Sequence, residues 1–367
     1  KRIICCITTT WVPTCLLNCF WRESIMHCPR LDHFVRLDYT GKIGKCGHMT
    51  KGKVFDSVED MQNSEWLRSI KDKMSEDKWP AECIRCELTE NTSNTSIRLD
   101  MIERDKILKA IKKDYLIVGG VMDNICNSAC QSCSPDLSTK IGSLYGKDYK
   151  QIDNYDNFTK LPQERIVELD INGGEPTASP AYKKLLLNLP ESVKIVRINT
   201  NGSLMIPEVP YLLERGVRII ITLSLDGIGN MHDYLRWPIK WTKYTQNVAK
   251  YLGLRSKYDR LRLNCWTTVS CLNIGDMENI LKYTEENNLD HAYGFCVRPT
   301  PLDVRYTNKF TSEAKHKLLS SDRKLLRSLG ERCCTLKDNS KELKQFIDTQ
   351  DNLRNISYTQ YYNNFLF

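Results

Sequence analysis

"DYLIVGGVMDNICNSACQSC", residues 114–133, opens on an apolar, β-branched run and closes on three cysteines, Cys126, Cys130 and Cys133. The run reads as a strand over 114–120, with the cysteines on the loop that follows it. Five similar runs come after it: "RIVELDI" (165–171), "VKIVRINT" (193–200), "VRIIITLSL" (217–225), "LRLNCWTTVS" (261–270) and "HAYGFCV" (291–297). Helical patterns near 180–189, 207–215, 241–254 and 275–287 lie between them. Strands joined by helical crossovers argue for a parallel sheet, and right-handed crossovers curl such a sheet into an open or partial barrel. The expected fold class is α/β: a partial (β/α)6 barrel, preceded by a small cysteine-rich module and followed by a helical tail. Reactive groups in such a fold gather at the C-terminal ends of the strands.

The cysteine loop raises the question of the missing fourth ligand, since a closed tetrahedral site takes four. Three thiolates on one tight loop suit an iron–sulfur cluster with one iron left open. They also suit a zinc site with a distant fourth ligand, or three unrelated buried thiols, and spacing does not choose among these. The next strand ends in "DINGGEP" (170–176), where Gly173 and Gly174 allow close backbone approach and Glu175 could accept hydrogen bonds from an ammonium group. A third strand ends in "NTNG" (199–202), placing Asn199 and Asn201 at the rim. "SLDG" (224–227) ends the fourth, with Ser224 and Asp226. Polar groups on successive strand ends face one cavity.

Apolar residues at 41% and charged residues at 27% are ordinary globular usage. The 53 basic and 45 acidic residues leave a net charge of +8 with no long run of one sign. No nucleic-acid partner and no membrane are expected. The 16 cysteines cluster at short spacings, as in Cys83/Cys86 and Cys333/Cys334. Such spacing suits metal ligation in a reducing, cytoplasmic setting better than disulfides. Residues 1–25 open basic and run apolar, but Thr8, Thr9, Thr10, Pro13 and Asn18 interrupt them. They read as an N-terminal extension of uncertain role, too broken for a spanning helix. Cys5, Cys6, Cys15 and Cys19 are unassigned.

CxxxCxxC, GGEP, TNG and SLDG, in that order on successive strand ends, resemble the radical S-adenosylmethionine superfamily over about residues 112–300. The resemblance implies a [4Fe-4S] cluster on Cys126, Cys130 and Cys133 whose open iron chelates S-adenosylmethionine. It implies reductive cleavage to a 5′-deoxyadenosyl radical that abstracts hydrogen from a substrate. Gly173, Gly174 and Glu175 would then bind the methionine amino group, and Asn199, Asn201, Ser224 and Asp226 would line the cofactor, the last two at the ribose. Arg236, in "MHDYLRWP", matches an arginine that meets the cofactor carboxylate, a task its forked guanidinium suits; a surface salt bridge is its other reading. Similar enzymes often carry an aromatic residue or Met before the third cysteine; this chain has Ser132.

Residues 26–110 add Cys28, Cys46, Cys83 and Cys86, spaced C-x17-C…C-x2-C. This block resembles the auxiliary-cluster module called twitch, a reduced relative of the SPASM domain, here placed before the barrel as in twitch-domain radical enzymes of phage and marine sequences. Cys83, Cys86, Glu90, Ser96 and Arg98 match that group's C-x-x-C…E…S-x-R. A second [4Fe-4S] cluster is the implied occupant; a structural zinc ribbon is the alternative. Glu87 and Glu90 are candidates to pair with Arg98. His27, His33 and His48 read as solvated neighbours more than ligands, and Cys265, Cys271 and Cys296 as small buried residues. "HFVRLDYTGKIGKCG" (33–47) reads as a hairpin and "SVEDMQNSEWLRSIKDKM" (57–74) as one helix capped by Ser57. The barrel is expected over 111–304 and a helical extension over 305–367. By analogy with auxiliary-cluster relatives, the expected partners are a peptide or protein side chain as substrate and a reductant such as flavodoxin or ferredoxin. The alternatives are a small molecule such as a nucleotide or sugar, or a non-catalytic iron–sulfur or zinc protein.

Overall fold

A computed structural model of the chain describes residues 26–93, 96–146 and 151–362. The 1–25 extension with its four cysteines, and the end of the aromatic tail, lie outside the described residues. The six expected barrel strands are present, at β4 (Leu116–Val121), β5 (Ile166–Asn172), β6 (Ile195–Thr200), β7 (Arg218–Ser224), β8 (Leu261–Val269) and β9 (Asp290–Phe295). All pair in parallel, each with the next in sequence. Helices Pro180–Leu187, Val209–Glu214, Trp241–Arg255 and Met277–Glu286 make the crossovers. One sheet face packs on them. Val118, Leu169, Val196, Ile198, Ile219, Ile221 and Leu263 meet Leu185, Leu212, Tyr244, Val248 and Ile280 in the main core, and such burial of apolar area is what holds the layers together.

The cysteine-rich block is not a separate body. Its hairpin strands β1 (Phe34–Leu37) and β2 (Ile43–Gly44) pair antiparallel, and β3 (Val54–Phe55) follows β2. β1 also pairs in parallel with β4, so one sheet runs β3-β2-β1-β4-β5-β6-β7-β8-β9. Gly120 permits this contact. It sits at φ +102°, and a Cβ there would stand 2.2 Å from the Leu37 carbonyl oxygen. Helix Ile97–Ile111 lies on the inner face, where its Met101 and Leu108 join Phe34, Ile117, Ile195 and Ile220. These sheet residues alternate with those of the main core, as strand geometry requires. Arg104 of the same helix reaches the fully buried Glu168, which also takes Arg197.

The expected single helix over 57–74 is two, Val58–Asn63 and Glu65–Ser75. Ser57 caps the first as expected, but Ser64 leaves the helical region at ψ 139° and caps the second by accepting from Leu67 N. A serine competes with the helix for backbone hydrogen bonds. The C-terminal region is mainly helical, with Lys309–Leu319, Lys324–Arg332 and Ser340–Arg354. It also holds a small parallel ladder between β10 (Tyr306–Thr307) and β11 (Leu336–Asp338), too short to show a strand period in sequence. Cys265, Cys271, Cys296 and Cys333 are buried, and no disulfide joins the described cysteines. Among the described residues no helix is long and apolar enough to cross a membrane.

Candidate functional site

The C-terminal ends of β4–β8 open on a cavity of about 560 Å³, within the range usual for small-molecule sites. Cys126, Cys130, Cys133, Gly173, Gly174, Glu175, Asn199, Asn201, Ser224 and Arg236 all line it. Residues spread over more than 100 positions are thus brought together as the sequence reading expects. Thr200, which opens the TNG motif, lines it too, as do Thr268 and the exposed Arg298, which no motif marks.

The cysteine loop is fixed from several sides. Ser128 Oγ lies 3.3 Å from Cys126 Sγ and 3.6 Å from Cys130 Sγ. Asn201 Nδ2 donates to Asn127 Oδ1 at 2.8 Å, tying the loop to the end of β6. Ala129 N and Gln131 N donate to the carbonyls of Trp237 and Leu235, which flank Arg236. Burial raises the Cys126 thiol and pushes Cys133 up to about 12. These thiols would ionise when a cationic centre supplies the opposing charge.

Gly173 and Gly174 serve this loop as much as any ligand. Gly173 lies at φ +132°, and a Cβ on Gly174 would fall 1.8 Å from the Ile125 carbonyl oxygen. Gly174 N and Glu175 N donate to the Asp123 and Ile125 carbonyls. Glu175 itself is 1% exposed. Its Oε1 accepts from Thr177 and Thr200 hydroxyls at 2.9 and 2.8 Å, and its Oε2 accepts from Asn201 N at 2.7 Å. Burial raises its pKa against these bonds. A carboxylate has about four acceptor positions, so Oε2 keeps capacity for one more donor.

Arg236 is largely withdrawn from solvent, its side chain 11% exposed, and is not a surface salt bridge; its Nη1 donates to Asp226 Oδ2 at 2.7 Å. Its Nε is buried with no partner, a donor that an anionic ligand would satisfy. Asp226 stands behind Arg236 and is absent from the cavity wall; its other oxygen accepts from Thr268 N at 2.8 Å. Ser224 alone of the "SLDG" pair reaches the cavity. The exposed Asn199 donates to Asn172, and both line the cavity.

Cys28, Cys46, Cys83 and Cys86 line a second pocket with His48, Trp79, Arg30 and Arg98. Burial and neighbouring thiols push Cys28 and Cys83 up to about 12. Arg30 and Lys45 are 4% and 1% exposed. Among the described residues neither forms an ion pair, and Arg30 Nε has no partner. Burial lowers Lys45 to about 7 and Arg30 lies over the Phe34 ring at 3.6 Å; a four-thiolate centre of net negative charge would favour the charged form of both. Glu90, Ser96 and Arg98 of the C-x-x-C…E…S-x-R motif form one network: Arg98 Nε donates to Glu90 Oε1 at 2.9 Å, Ser96 donates to the same oxygen, and Arg98 Nη1 holds the His27 carbonyl at 2.9 Å. Glu90, and not Glu87, pairs with Arg98. The residue types, glycines and unmatched cations fit cluster-type occupants at both sites. Among the described residues no three or more His, Cys, Asp or Glu side chains form a ready-made site for a single ion.

No family model matches the chain. Over 132 residues it is 24% identical to the sporulation killing factor maturation protein SkfB of Bacillus subtilis (strain 168). That match spans 36% of this chain and 31% of SkfB, so the chain covers about a third of that relative's length. Among solved structures, it resembles anSMEcpe with bound AdoMet and the Kp18Cys peptide, at TM-score 0.39 and 19% identity over 66% of this chain and 62% of that one. It also resembles Streptococcus suis SuiB bound to precursor peptide SuiA, at TM-score 0.41 and 13% identity over 88% and 70%.

Proposed function

We propose that this chain, whose barrel carries the radical S-adenosylmethionine motifs in order on four consecutive strand ends, is a radical enzyme that modifies a peptide or protein side chain. The observation that carries the reading is the convergence of the Cys126/Cys130/Cys133 loop, Glu175, Asn201, Ser224 and the half-satisfied Arg236 on one cavity. When bound, a [4Fe-4S] cluster with S-adenosylmethionine supplies one-electron cleavage of the sulfonium to methionine and a 5′-deoxyadenosyl radical, which takes a hydrogen atom from substrate.

The chain's own residues do the holding and aiming. Cys126, Cys130 and Cys133 would ligate three irons. The free acceptor position on Glu175 would take the cofactor ammonium, and Arg236, braced by Asp226, would meet its carboxylate. Ser224, Asn199 and Asn201 would fix the rest of the cofactor, Asn201 also bracing the loop. Cys28, Cys46, Cys83 and Cys86 would hold a second cluster, and a low-potential donor such as flavodoxin or ferredoxin would supply the electron. In this reading residues 26–110 are the auxiliary module, 111–304 the catalytic barrel and 305–367 a helical extension. The similarity to a maturation protein supports a peptide substrate.

Anaerobic reconstitution should give about eight irons per chain for two four-iron clusters, with 5′-deoxyadenosine formed from S-adenosylmethionine on reduction. Cys126→Ala/Cys130→Ala/Cys133→Ala should lose about half the iron and all product. Reconstituted protein that binds iron at these three cysteines yet releases no 5′-deoxyadenosine would refute the enzyme reading. Deuterium passing from a side-chain-deuterated candidate peptide into 5′-deoxyadenosine checks the substrate class; transfer from a nucleotide or sugar instead would replace it.

A further inference from the structure

Helix Ser340–Arg354 comes from the far end of the chain and ends against the cysteine loop. Arg354 is 4% exposed. Its Nε donates to the Ala129 carbonyl at 3.0 Å and its Nη2 lies 3.5 Å from the Cys130 carbonyl. Its Nη1 donates to the Gln350 carbonyl at 3.0 Å and to Gln350 Oε1 at 2.6 Å. Gln350 Nε2 in turn donates to the Tyr145 hydroxyl at 2.6 Å. Among the described residues no ion pair includes Arg354. The adjacent Asp351 has its two oxygens taken by Tyr234 Oη at 2.8 Å and Tyr358 N at 2.6 Å. The buried guanidinium thus hydrogen-bonds only carbonyls and an amide oxygen, directly behind Cys130, while the nearby Asp351 carboxylate interacts with its charge without forming an ion pair.

We propose that Arg354 is a positioning residue that makes the barrel cluster easier to reduce, by keeping a buried positive charge behind Cys130 while clamping the carbonyls of its loop. This rests on the reading that Cys126, Cys130 and Cys133 hold a cluster. One electron, from a flavodoxin- or ferredoxin-type donor or from dithionite in vitro, makes the cluster one unit more negative. A fixed cation in a low-dielectric interior favours that state. Two levers tune such a centre here, local charge and hydrogen bonding of the ligand loop, and Arg354 supplies both.

The test is an anaerobic redox titration of the full chain, with iron counted on the same samples. It follows the electron-paramagnetic-resonance signal that changes when S-adenosylmethionine is added, which marks the barrel cluster. Arg354→Gln should lower the ratio of reduced to oxidised cluster about tenfold at a fixed potential, which is about 59 mV for a one-electron couple. Arg354→Lys keeps the charge and should stay within about threefold of wild type, roughly 30 mV on the same scale. Gln350→Glu keeps an acceptor for Arg354 but adds a compensating negative charge, and should move the ratio in the same direction as Arg354→Gln. Normal iron with an unchanged ratio in Arg354→Gln overturns the proposal. Where Arg354→Gln loses its iron, Gln350→Glu decides, and an unchanged ratio there overturns it. A wild-type chain with no cofactor-responsive signal refutes the underlying cluster reading instead.

Discussion

Asp226 accepts the Arg236 Nη1 hydrogen bond at 2.7 Å, and both side chains are withdrawn from solvent. Arg236 faces the cavity and Asp226 stands behind it, so in the proposed reading the acid of "SLDG" would act on a bound cofactor through the arginine. Removing one member of a buried pair leaves the other charge unmatched, at a cost of about 3–5 kcal/mol. Asp226→Asn should therefore lower thermal stability and weaken S-adenosylmethionine binding together, with iron near wild type. Arg236→Lys should bind the cofactor less well, since a point charge does not reproduce the fork. Equilibrium binding beside iron analysis checks both. Wild-type affinity in Asp226→Asn would show that Arg236 needs no brace.

Gly174→Ala should unseat the cysteine loop. Its Cβ would fall 1.8 Å from the Ile125 carbonyl oxygen, a backbone atom that cannot swing away like a flexible side chain. Overpacking of this kind costs about 1–3 kcal/mol or more. Iron should fall toward the content of the auxiliary site alone. Full iron loading in Gly174→Ala would show that the loop can give way without losing its ligand geometry.

Burial pushes the Asp123 carboxyl up to about 6, against hydrogen bonds from Ser179 and Ile125 N. An acid with a higher pKa folded than unfolded binds an extra proton in the native state between the two values. Its contribution is largest at the acid end of that window and declines as pH rises, roughly from pH 4 to pH 6. Unfolding temperatures of the metal-free chain across this range should show the decline, and Asp123→Asn should lack it. Parallel pH profiles in the two proteins would mean that Asp123 titrates normally.

Glu90 and Arg98 should matter to the second site and not to the first. Arg98 joins Glu90 to the His27 carbonyl, next to Cys28. Burial of the Cys86 thiol raises its pKa, and the Arg98 backbone N–H opposes this. Glu90→Gln should reduce auxiliary iron several-fold, in line with the roughly 10–100-fold losses seen when a ligand's support is removed, while 5′-deoxyadenosine formation persists in part. Stoichiometric zinc with about four irons in the wild type would identify the second site as a zinc ribbon and leave the barrel reading intact.

The sequence by itself determined the barrel and most of its rim. Alternating runs and crossover helices set β4–β9 because strand and helix periods are local properties. CxxxCxxC, GGEP, TNG and SLDG could be placed because each follows a strand whose end must lie at one rim. The resemblance in C-x-x-C…E…S-x-R singled out Glu90, Ser96 and Arg98, and left the structure to choose Glu90 over Glu87 as the partner of Arg98. Only the tertiary structure decided that β1 extends the barrel sheet, that Gly174 is required by the Ile125 backbone, and that Asp226 braces Arg236 from behind the wall. Only it brought Arg354 against a carbonyl 225 residues away. No periodicity carries such contacts: they depend on which surfaces the packed elements present to one another once the core has closed.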